Sequence, residues 1–300
     1  MTSRIHLFNE SVLRRDVLRL SAAGALTSLG VPAARGQTKL PRLVTVSGAI
    51  TEVVYLLGAQ EQLVGTDTTS LYPLAAQKTP KVGYMRQLSA EGLLSLKPDA
   101  VIATTEAGPP VVMDQIRSAG VRVELVEADH SWAEVQRKVA AVGRAAAREA
   151  QAAELQARLD AEWAGVLQGV AKTQGKKPRV LFILSHSSSA QVAGEKTAAD
   201  ALIRFFGGFN VMGGFNGYRP MTAEAMAAAA PDVILTSTQG IEAIGGVDKL
   251  WARPELALTP AYKRRASPGA LVHMDALQLL GFGPRLPQTV REMHARVVLA

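Results

Sequence analysis

Apolar and polar residues follow each other along this chain in blocks that predict short buried strands separated by amphipathic helices. Residues 43–46 form an apolar run typical of a buried strand, and residues 51–58 carry the pattern of a helix that ends at a glycine. Residues 63–66 predict the next strand. The second half repeats this order with a strand, a helix and a strand, at residues 179–184, 198–207 and 209–212.

A short motif occurs once in each half. Ser-Ala-Glu at residues 89–91 is followed seven residues later by Pro-Asp and an apolar run, and Thr-Ala-Glu at residues 222–224 is followed at the same spacing by the same pattern. A tyrosine precedes each copy, Tyr84 and Tyr218. The repeat predicts two similar α/β lobes, each a doubly wound Rossmann-like sheet, with a cleft between them.

The composition agrees with a globular protein that has two ordinary cores. The chain has 300 residues, of which 48% are hydrophobic and 20% are charged. It contains no cysteine, which excludes disulfides, thiolate metal ligands and thioether attachment of a cofactor. Stability must therefore come from core packing.

Residues 1–37 predict an export signal. Arg14 and Arg15 form a twin-arginine pair, an apolar run follows to about Val31, and small residues such as Ala34 come next. The apolar run is shorter than the roughly 20 residues of a membrane-spanning helix. Residues 1–37 contain five arginines and two carboxylates, so about +4 of the total charge of +7 remains without them. The chain has no basic run with interleaved aromatic residues, so the sequence does not predict nucleic-acid binding.

Between the two lobes, residues 131–175 predict a connecting helical segment. One apolar stripe at helical spacing runs through a region of good helix formers and consists of Leu155, Leu159, Trp163, Val166 and Val170. A helix of about 22 residues would extend about 33 Å and could cross between domains, or it could pack on one lobe. The predicted lobes are residues 38–130 and residues 176–300.

These features resemble the substrate-binding proteins of ABC importers for iron chelates, cobalamin and haem. Within that family, residues 82–92 (Val-Gly-Tyr-Met-Arg-Gln-Leu-Ser-Ala-Glu-Gly) resemble the haem-binding branch, with support from residues 193–202 and 279–285. The resemblance implies the class III periplasmic binding protein fold, in which one long helix joins the lobes. It also implies a monomeric periplasmic protein for iron acquisition, which captures haem b (hemin) non-covalently and delivers it to a permease dimer.

The same resemblance assigns Tyr84 as the axial ligand of the haem iron. An anionic phenolate is a hard oxygen donor that suits ferric iron. Arg86 lies two residues further on, and in an extended segment both side chains would share one face. Its positive charge would then favour the phenolate. Without the resemblance, a packed ring would be the ordinary interpretation of such a tyrosine.

A second axial ligand would come from the opposite lobe, where two residues compete. His186 follows the strand predicted at residues 179–184, at a carboxyl end where open α/β sheets bind ligands. Tyr218 faces the same cleft by the repeat. Cations for the haem propionates lie near the two tyrosines, and solvated surface charge is the alternative for each: Lys81, Arg86 and Arg219.

Glu91 and Glu224 occupy the same place in the two copies of the motif, in the first turn of a predicted helix. A carboxylate there stabilises the helix dipole, which is one explanation. The resemblance implies another, that each docks onto an arginine of one permease subunit. A twofold partner requires matching charges on the two lobes, which favours docking.

Three alternatives stay open to different degrees. Cobalamin or a ferric siderophore is the rival ligand, and the number of haems in the cleft is open. A zinc or manganese carrier is disfavoured because the chain after residue 37 has four scattered histidines. An enzyme is disfavoured because the first strand is not followed by G-x-G-x-x-G and the chain has no G-x-S-x-G elbow.

Overall fold

The computed structural model describes residues 39–185 and 190–299. The export signal predicted for residues 1–37 and the candidate ligand His186 lie outside these described residues. From Leu40 onward the chain forms one compact unit, which contains two β-sheets. No helix in the described ranges is long and apolar enough to cross a membrane.

The first sheet has four parallel strands in the order β2-β1-β3-β4. The strands are β1 Leu43–Val46, β2 Leu63–Thr66, β3 Ala100–Thr104 and β4 Arg122–Val126. The helices between them are α1 Gly48–Leu56, α2 Ala90–Ser95 and α3 Pro110–Ser118. Every residue of the central strands β1 and β3 is buried, as expected for a parallel sheet covered on both faces.

The second sheet has six strands in the order β10-β9-β5-β6-β8, with β7 beside β5. The strands are β5 Arg179–Leu184, β6 Gln191–Ala193, β7 Phe209–Asn210, β8 Tyr218–Pro220, β9 Val233–Ser237 and β10 Leu271–Met274. Strands β10, β9, β5 and β7 are parallel, whereas β6 is antiparallel to β5 and to β8. The parallel sheets confirm the predicted α/β fold class of two Rossmann-like lobes.

Helices connect the strands of the second sheet and follow its last strand. They are α6 Ala198–Phe205, α7 Ala223–Ala229, α8 Thr238–Ala243, α9 Val247–Trp251, α10 Pro260–Lys263, α11 Ala276–Leu280 and α12 Leu286–Met293, which a π-helical turn extends over His294–Val298. The strand predicted at residues 209–212 is present but shorter, as β7 covers only Phe209–Asn210, and the β6–β8 pair was not predicted. Strands of three residues are too short for an alternating pattern to reveal them.

The repeated motif forms the same local structure in both halves. The Ser89 hydroxyl accepts a hydrogen bond from Gly92 N (3.0 Å) at the start of α2, and the Thr222 hydroxyl accepts one from Ala225 N (3.3 Å) at the start of α7. These N-caps satisfy backbone donors that a helix leaves without partners. They confirm that the repeated Ala-Glu pair begins a helix in each lobe.

An arginine at the start of the first strand of each lobe, Arg42 directly before β1 and Arg179 as the first residue of β5, bonds to parts of this unit. Arg42 N donates to Asp99 Oδ2 (2.8 Å), and the guanidinium donates to two carbonyls just after α2. Arg179 N donates to Asp232 Oδ2 (3.3 Å), and its guanidinium donates to two carbonyls at the end of α7. The aspartates are those of the repeated Pro-Asp pairs, so the repeat extends to tertiary contacts.

Two helices lie between the sheets in sequence, α4 Trp132–Ala146 and α5 Glu149–Lys172. Helix α5 has 24 residues and extends about 36 Å. Its Leu155 and Leu159 belong to the core that contains β1 and β3, while Trp163 and Val166 belong to a core that contains β5 and β9. One helix therefore contributes its apolar stripe to both lobes.

Candidate functional site

Tyr84 lies at the edge of the first sheet where the strands have their carboxyl ends. Hydrogen bonds from Val82 N to Thr66 O (3.0 Å) and from Thr68 N to Gly83 O (3.0 Å) hold its segment beside the end of β2. Gly83 has a φ of +102°, which favours glycine, and the adjacent Tyr84 is 44% exposed. The ring therefore stands where open α/β sheets bind ligands.

The segment after Tyr84 is a turn. Gln87 N donates to Tyr84 O (2.8 Å) and closes the turn over residues 84–87. The prediction that Tyr84 and Arg86 share one face of an extended segment is therefore wrong, because a turn does not keep the period of two. Arg86 instead pairs with Glu106, with 2.9 Å between its NH2 and Oε1.

Glu106 is a site residue that sequence reasoning missed. It comes two residues after the end of β3, so the rule that strand ends carry binding residues would have found it. The side chains of Arg86 and Glu106 are 55% and 40% exposed. A solvated pair of this kind contributes only about 0–1 kcal/mol to stability, so its main effect is to fix where Arg86 points.

Tyr218 faces this pair from the second lobe. It begins the edge strand β8 and is about one-third exposed. Partial burial raises the pKa of Tyr218 to about 12; the negative charge of Glu106 adds to this effect, and the positive charge of Arg86 opposes it. A tyrosine is neutral at physiological pH even at its ordinary pKa, and burial disfavours the phenolate of Tyr218 further. The charges that act on it belong to the opposite lobe.

The Lys81 ammonium has its donors satisfied inside the first lobe. It donates to Thr66 Oγ1 (2.8 Å), Ala76 O (3.0 Å) and Ser70 O (3.2 Å). Desolvation lowers the pKa of Lys81, and the Asp67 carboxylate opposes this. Three acceptors match the three N–H donors of an ammonium group, so this lysine holds a loop together.

Arg219 follows Tyr218 on β8, and successive side chains of a strand point to opposite faces. Its guanidinium lies 4.4 Å from the centre of the Phe215 ring, as in a cation–π contact. Arg219 is therefore adjacent to Tyr218 in sequence, but its side chain stacks on Phe215.

The histidines within the described residues have structural contacts. The His130 ring packs 5.3 Å from that of Phe282, the His273 ring bonds to Thr238, and the His294 ring bonds to Phe206 O and Thr173. No group of three or more His, Asp or Glu side chains in the described ranges is arranged to hold a metal ion.

Glu91 and Glu224 lie in the first turns of α2 and α7, and both are exposed. Neither carboxylate forms a salt bridge with another described residue. The two lobes therefore present one acidic side chain each at equivalent positions.

The two lobes meet at the floor of the cleft. Arg285, at the start of α12, donates to both carboxylate oxygens of Glu52 on α1, at 2.8 and 2.6 Å. A side chain at Gly48 would collide with the Thr69 carbonyl and with Leu277 of the other lobe. This close approach explains the glycine at that position.

A second contact between the lobes uses a buried lysine. Lys138 on α4 is 1% exposed and pairs with Glu134 (2.6 Å), while it also donates to Gly281 O (2.8 Å) and Phe282 O (3.0 Å) after α11. Burial lowers the pKa of Lys138, and the Glu134 carboxylate opposes this. The ammonium thus satisfies carbonyls at the end of a helix from the other lobe.

Comparison with known proteins identifies the class of protein that this fold and cleft define. The sequence matches the family described as periplasmic binding protein over residues 43–266. The chain belongs to this family. The family description and its ABC transporter relatives place this class of binding protein outside the cytoplasm.

Two curated relatives align with this chain over only part of their own length. The uncharacterized ABC transporter substrate-binding lipoprotein YvrC of Bacillus subtilis is 29% identical over 206 residues, which are 67% of this chain and 65% of YvrC. A cobalamin-binding protein of Halobacterium salinarum is 30% identical over 200 residues, which are 65% of this chain and 53% of that protein. The matches thus span about two thirds and half of these relatives.

Two solved structures match over nearly their whole length. The periplasmic haem-binding protein BhuT in complex with two haems is 45% identical with a TM-score of 0.80, covering 85% of this chain and 97% of BhuT. The periplasmic haem-binding protein RhuT from Roseiflexus sp. RS-1 is 38% identical with a TM-score of 0.79, covering 85% of this chain and 97% of RhuT. The fold is therefore the class III periplasmic binding protein fold.

Proposed function

We propose that this protein captures haem in the cleft between its lobes and delivers it to an ABC transporter permease. The observation that carries the proposal is the half-exposed Tyr84 at the carboxyl-end edge of the first sheet. The charges of Arg86 and Glu106 at this edge act on Tyr218 of the second lobe. A phenolate oxygen suits ferric iron, so Tyr84 would bind hemin (haem b) as transported cargo. The chain has no cysteine, so the cargo is held without a covalent bond.

Two further features support haem over other cargo. Arg86, two residues after Tyr84, keeps an exposed side chain that can meet a propionate. BhuT and RhuT, both haem-binding proteins, share this fold at 45% and 38% identity. All three predicted propionate partners are exposed, but the Lys81 ammonium already donates to three oxygens, so Arg86 and Arg219 are the better candidates.

For the opposite face of the iron, His186 and Tyr218 remain the two candidate axial ligands. Burial raises the pKa of Tyr218 to about 12, so ligation by Tyr218 would require the iron to displace a phenol proton, whereas a neutral imidazole ligates without losing one. His186 follows β5, at a carboxyl end of the second sheet. We assign His186 as the second ligand and Tyr218 as a hydrogen-bonding residue of the cleft.

The proposal is tested by titrating the purified apoprotein with hemin and recording the visible spectrum. A single saturable transition with a phenolate-to-iron charge-transfer band is expected, because ligation by Tyr84 produces that band. Cobalamin is the second candidate, since the Halobacterium relative is a cobalamin-binding protein. Saturable binding of cobalamin without binding of hemin would overturn the haem assignment.

For this function we propose the domain organisation that the sequence predicts. Residues 1–37 would direct export and be removed, which leaves a monomeric periplasmic protein. Residues 38–130 and 176–300 would form the lobes on either side of the connecting segment 131–175. Mass spectrometry of the protein isolated from the periplasm measures the cleavage point, and an intact N-terminus would contradict the signal assignment.

Glu91 and Glu224 are proposed to dock the protein on the two permease subunits. Replacing either by alanine should leave hemin titrations unchanged and slow haem uptake by the reconstituted transporter roughly threefold, and replacing both roughly tenfold. Reversal to lysine should be worse, because like charges across an interface repel.

Glu149→Ala is the matched control for this experiment, since Glu149 is also an exposed acid in the first turn of a helix, α5. It should transport haem at the parental rate. Normal transport by the Glu91→Ala, Glu224→Ala double variant would show that the two carboxylates stabilise only their own helices.

A further inference from the structure

A second tyrosine of the first lobe, Tyr72, lies where the two lobes meet. It belongs to the loop after β2, and it is 48% exposed. The Arg285 guanidinium carbon lies 4.1 Å from the centre of the Tyr72 ring. Arg285 belongs to the second lobe, so this ring has one face covered across the lobe boundary while half of its surface stays open to solvent.

The loop that carries Tyr72 is fixed on its near side by a buried carboxylate. Asp67 is fully buried and accepts hydrogen bonds from Ser47 N (3.1 Å), Thr69 N (3.0 Å) and the Ser70 hydroxyl (2.8 Å). The Thr51 hydroxyl on α1 bonds to the Ser70 hydroxyl at 2.7 Å. Such a network holds the backbone directly before Tyr72 in one position.

Lys81 fixes the loop on its far side. Its ammonium reaches the carbonyls of Ser70 (3.2 Å) and Ala76 (3.0 Å), which flank residues 71–75. The same lysine bonds to the end of β2 through Thr66. The exposed ring of Tyr72 therefore stands on a loop tied at both ends, which is how rigid recognition residues are held.

The guanidinium over Tyr72 is equally well held. Glu52 is 4% exposed and binds Arg285 through both carboxylate oxygens, at 2.8 and 2.6 Å. A guanidinium fixed in this way keeps one face of the aromatic ring occupied by a cation–π contact. Only the opposite face is left for a ligand.

Tyr72 and Tyr84 are carried by adjoining segments. The bond from Thr68 N to Gly83 O (3.0 Å) joins the loop of Tyr72 to the turn of Tyr84. Both side chains are nearly half exposed, at 48% and 44%. A broad planar ligand whose centre is held at Tyr84 would extend over the neighbouring loop.

We propose that Tyr72 is a stacking residue of the cleft, whose open face receives the flat macrocycle of the haem that Tyr84 ligates. This proposal rests on the proposed function and adds a contact that does not involve the iron. Aromatic stacking beyond plain burial corresponds to a change in affinity of about five- to tenfold. Tyr72 would then select for a planar conjugated ring.

Metal-free protoporphyrin IX separates stacking from ligation, because it has the macrocycle but no iron for Tyr84 to bind. Tyr72→Ala should weaken binding of both hemin and protoporphyrin IX by about five- to tenfold and keep the charge-transfer band of the hemin complex. Tyr72→Phe retains the ring and should bind both ligands within about twofold of the parent. Tyr84→Phe should weaken the binding of hemin but not the binding of protoporphyrin IX.

Tyr262→Ala is the matched control. Tyr262 also lies under an arginine, with Arg265 4.4 Å from its ring centre, but it sits on α10 beside the amino end of β9, away from the cleft edge. Its variant should bind both ligands like the parent. Circular dichroism and thermal melting of each apoprotein separate a change in binding from a change in folding.

The outcomes distinguish the two proposals. Parental affinity of Tyr72→Ala for both ligands would overturn the stacking role while leaving haem capture intact. Weak binding by Tyr72→Phe would also overturn it, since the ring is then not the feature that matters. If the parent protein itself fails to bind hemin, the proposed function is wrong and the stacking role falls with it.

Discussion

Tyr84→Phe is expected to remove the phenolate-to-iron charge-transfer band and to weaken hemin binding roughly tenfold or more. The physical reason is that a phenyl ring supplies no anionic oxygen, while the rest of the cleft is unchanged. Tyr84 is 44% exposed on a turn, so the substitution leaves no buried cavity and should not lower stability. The measurement is a hemin titration followed in the visible spectrum.

Tyr218→Phe is the control for this prediction. Tyr218 has a pKa of about 12, because it is partly buried and faces Glu106, so it remains a neutral phenol below that pH. Its removal should keep the charge-transfer band and reduce affinity by only a few-fold, as for one lost hydrogen bond. If Tyr84→Phe keeps the band and Tyr218→Phe loses it, the iron ligand is Tyr218.

Lys138→Met is expected to cause the largest loss of stability, about 3–5 kcal/mol in the free energy of unfolding. The substitution leaves the Glu134 carboxylate, which is 3% exposed, buried without its partner. It also removes the donor that serves the carbonyls of Gly281 and Phe282. For a chain of this size the melting temperature should fall by roughly 10 °C.

The double variant Lys138→Met, Glu134→Gln should recover part of this loss, because it removes the unpaired charge. Lys177→Met is the surface control, since Lys177 is exposed and should change stability by no more than about 0.5 kcal/mol. Thermal and urea unfolding of the apoproteins measure all three. A loss for Lys138→Met no larger than for Lys177→Met would show that neither the buried ion pair nor the hydrogen bonds from Lys138 to the second lobe stabilise the fold.

Local features of the fold were predictable because they depend on short stretches of sequence. The N-caps Ser89 and Thr222, followed by Pro-Asp and an apolar strand, predicted the same helix-to-strand unit in both lobes, and the structure confirms it. The 3.6-residue spacing from Leu155 to Val166 predicted helix α5. A helix or strand of this kind shows its period in the sequence before any tertiary contact forms.

The contacts across the cleft were not predictable, because their partners are far apart in sequence. Glu52 and Arg285 are separated by 233 residues, and Lys138 and Gly281 by 143. Lys81 was expected to meet a propionate, but the fold brings three oxygens to it instead. Nothing in the pattern of apolar residues indicates which polar side chains will be buried together.

The sequence by itself determined the two-lobed α/β plan and the helix α5, since periodicity and capping residues specify both, and a local motif made Tyr84 the candidate iron ligand. Only the tertiary structure decided that Arg86 turns to Glu106 and that burial raises the pKa of Tyr218. It also decided that the lobes are joined by the Glu52–Arg285 pair and by hydrogen bonds from Lys138 to two carbonyls of the second lobe. The physical reason is that charge and burial depend on which residues the fold brings together. A local sequence pattern does not contain that information.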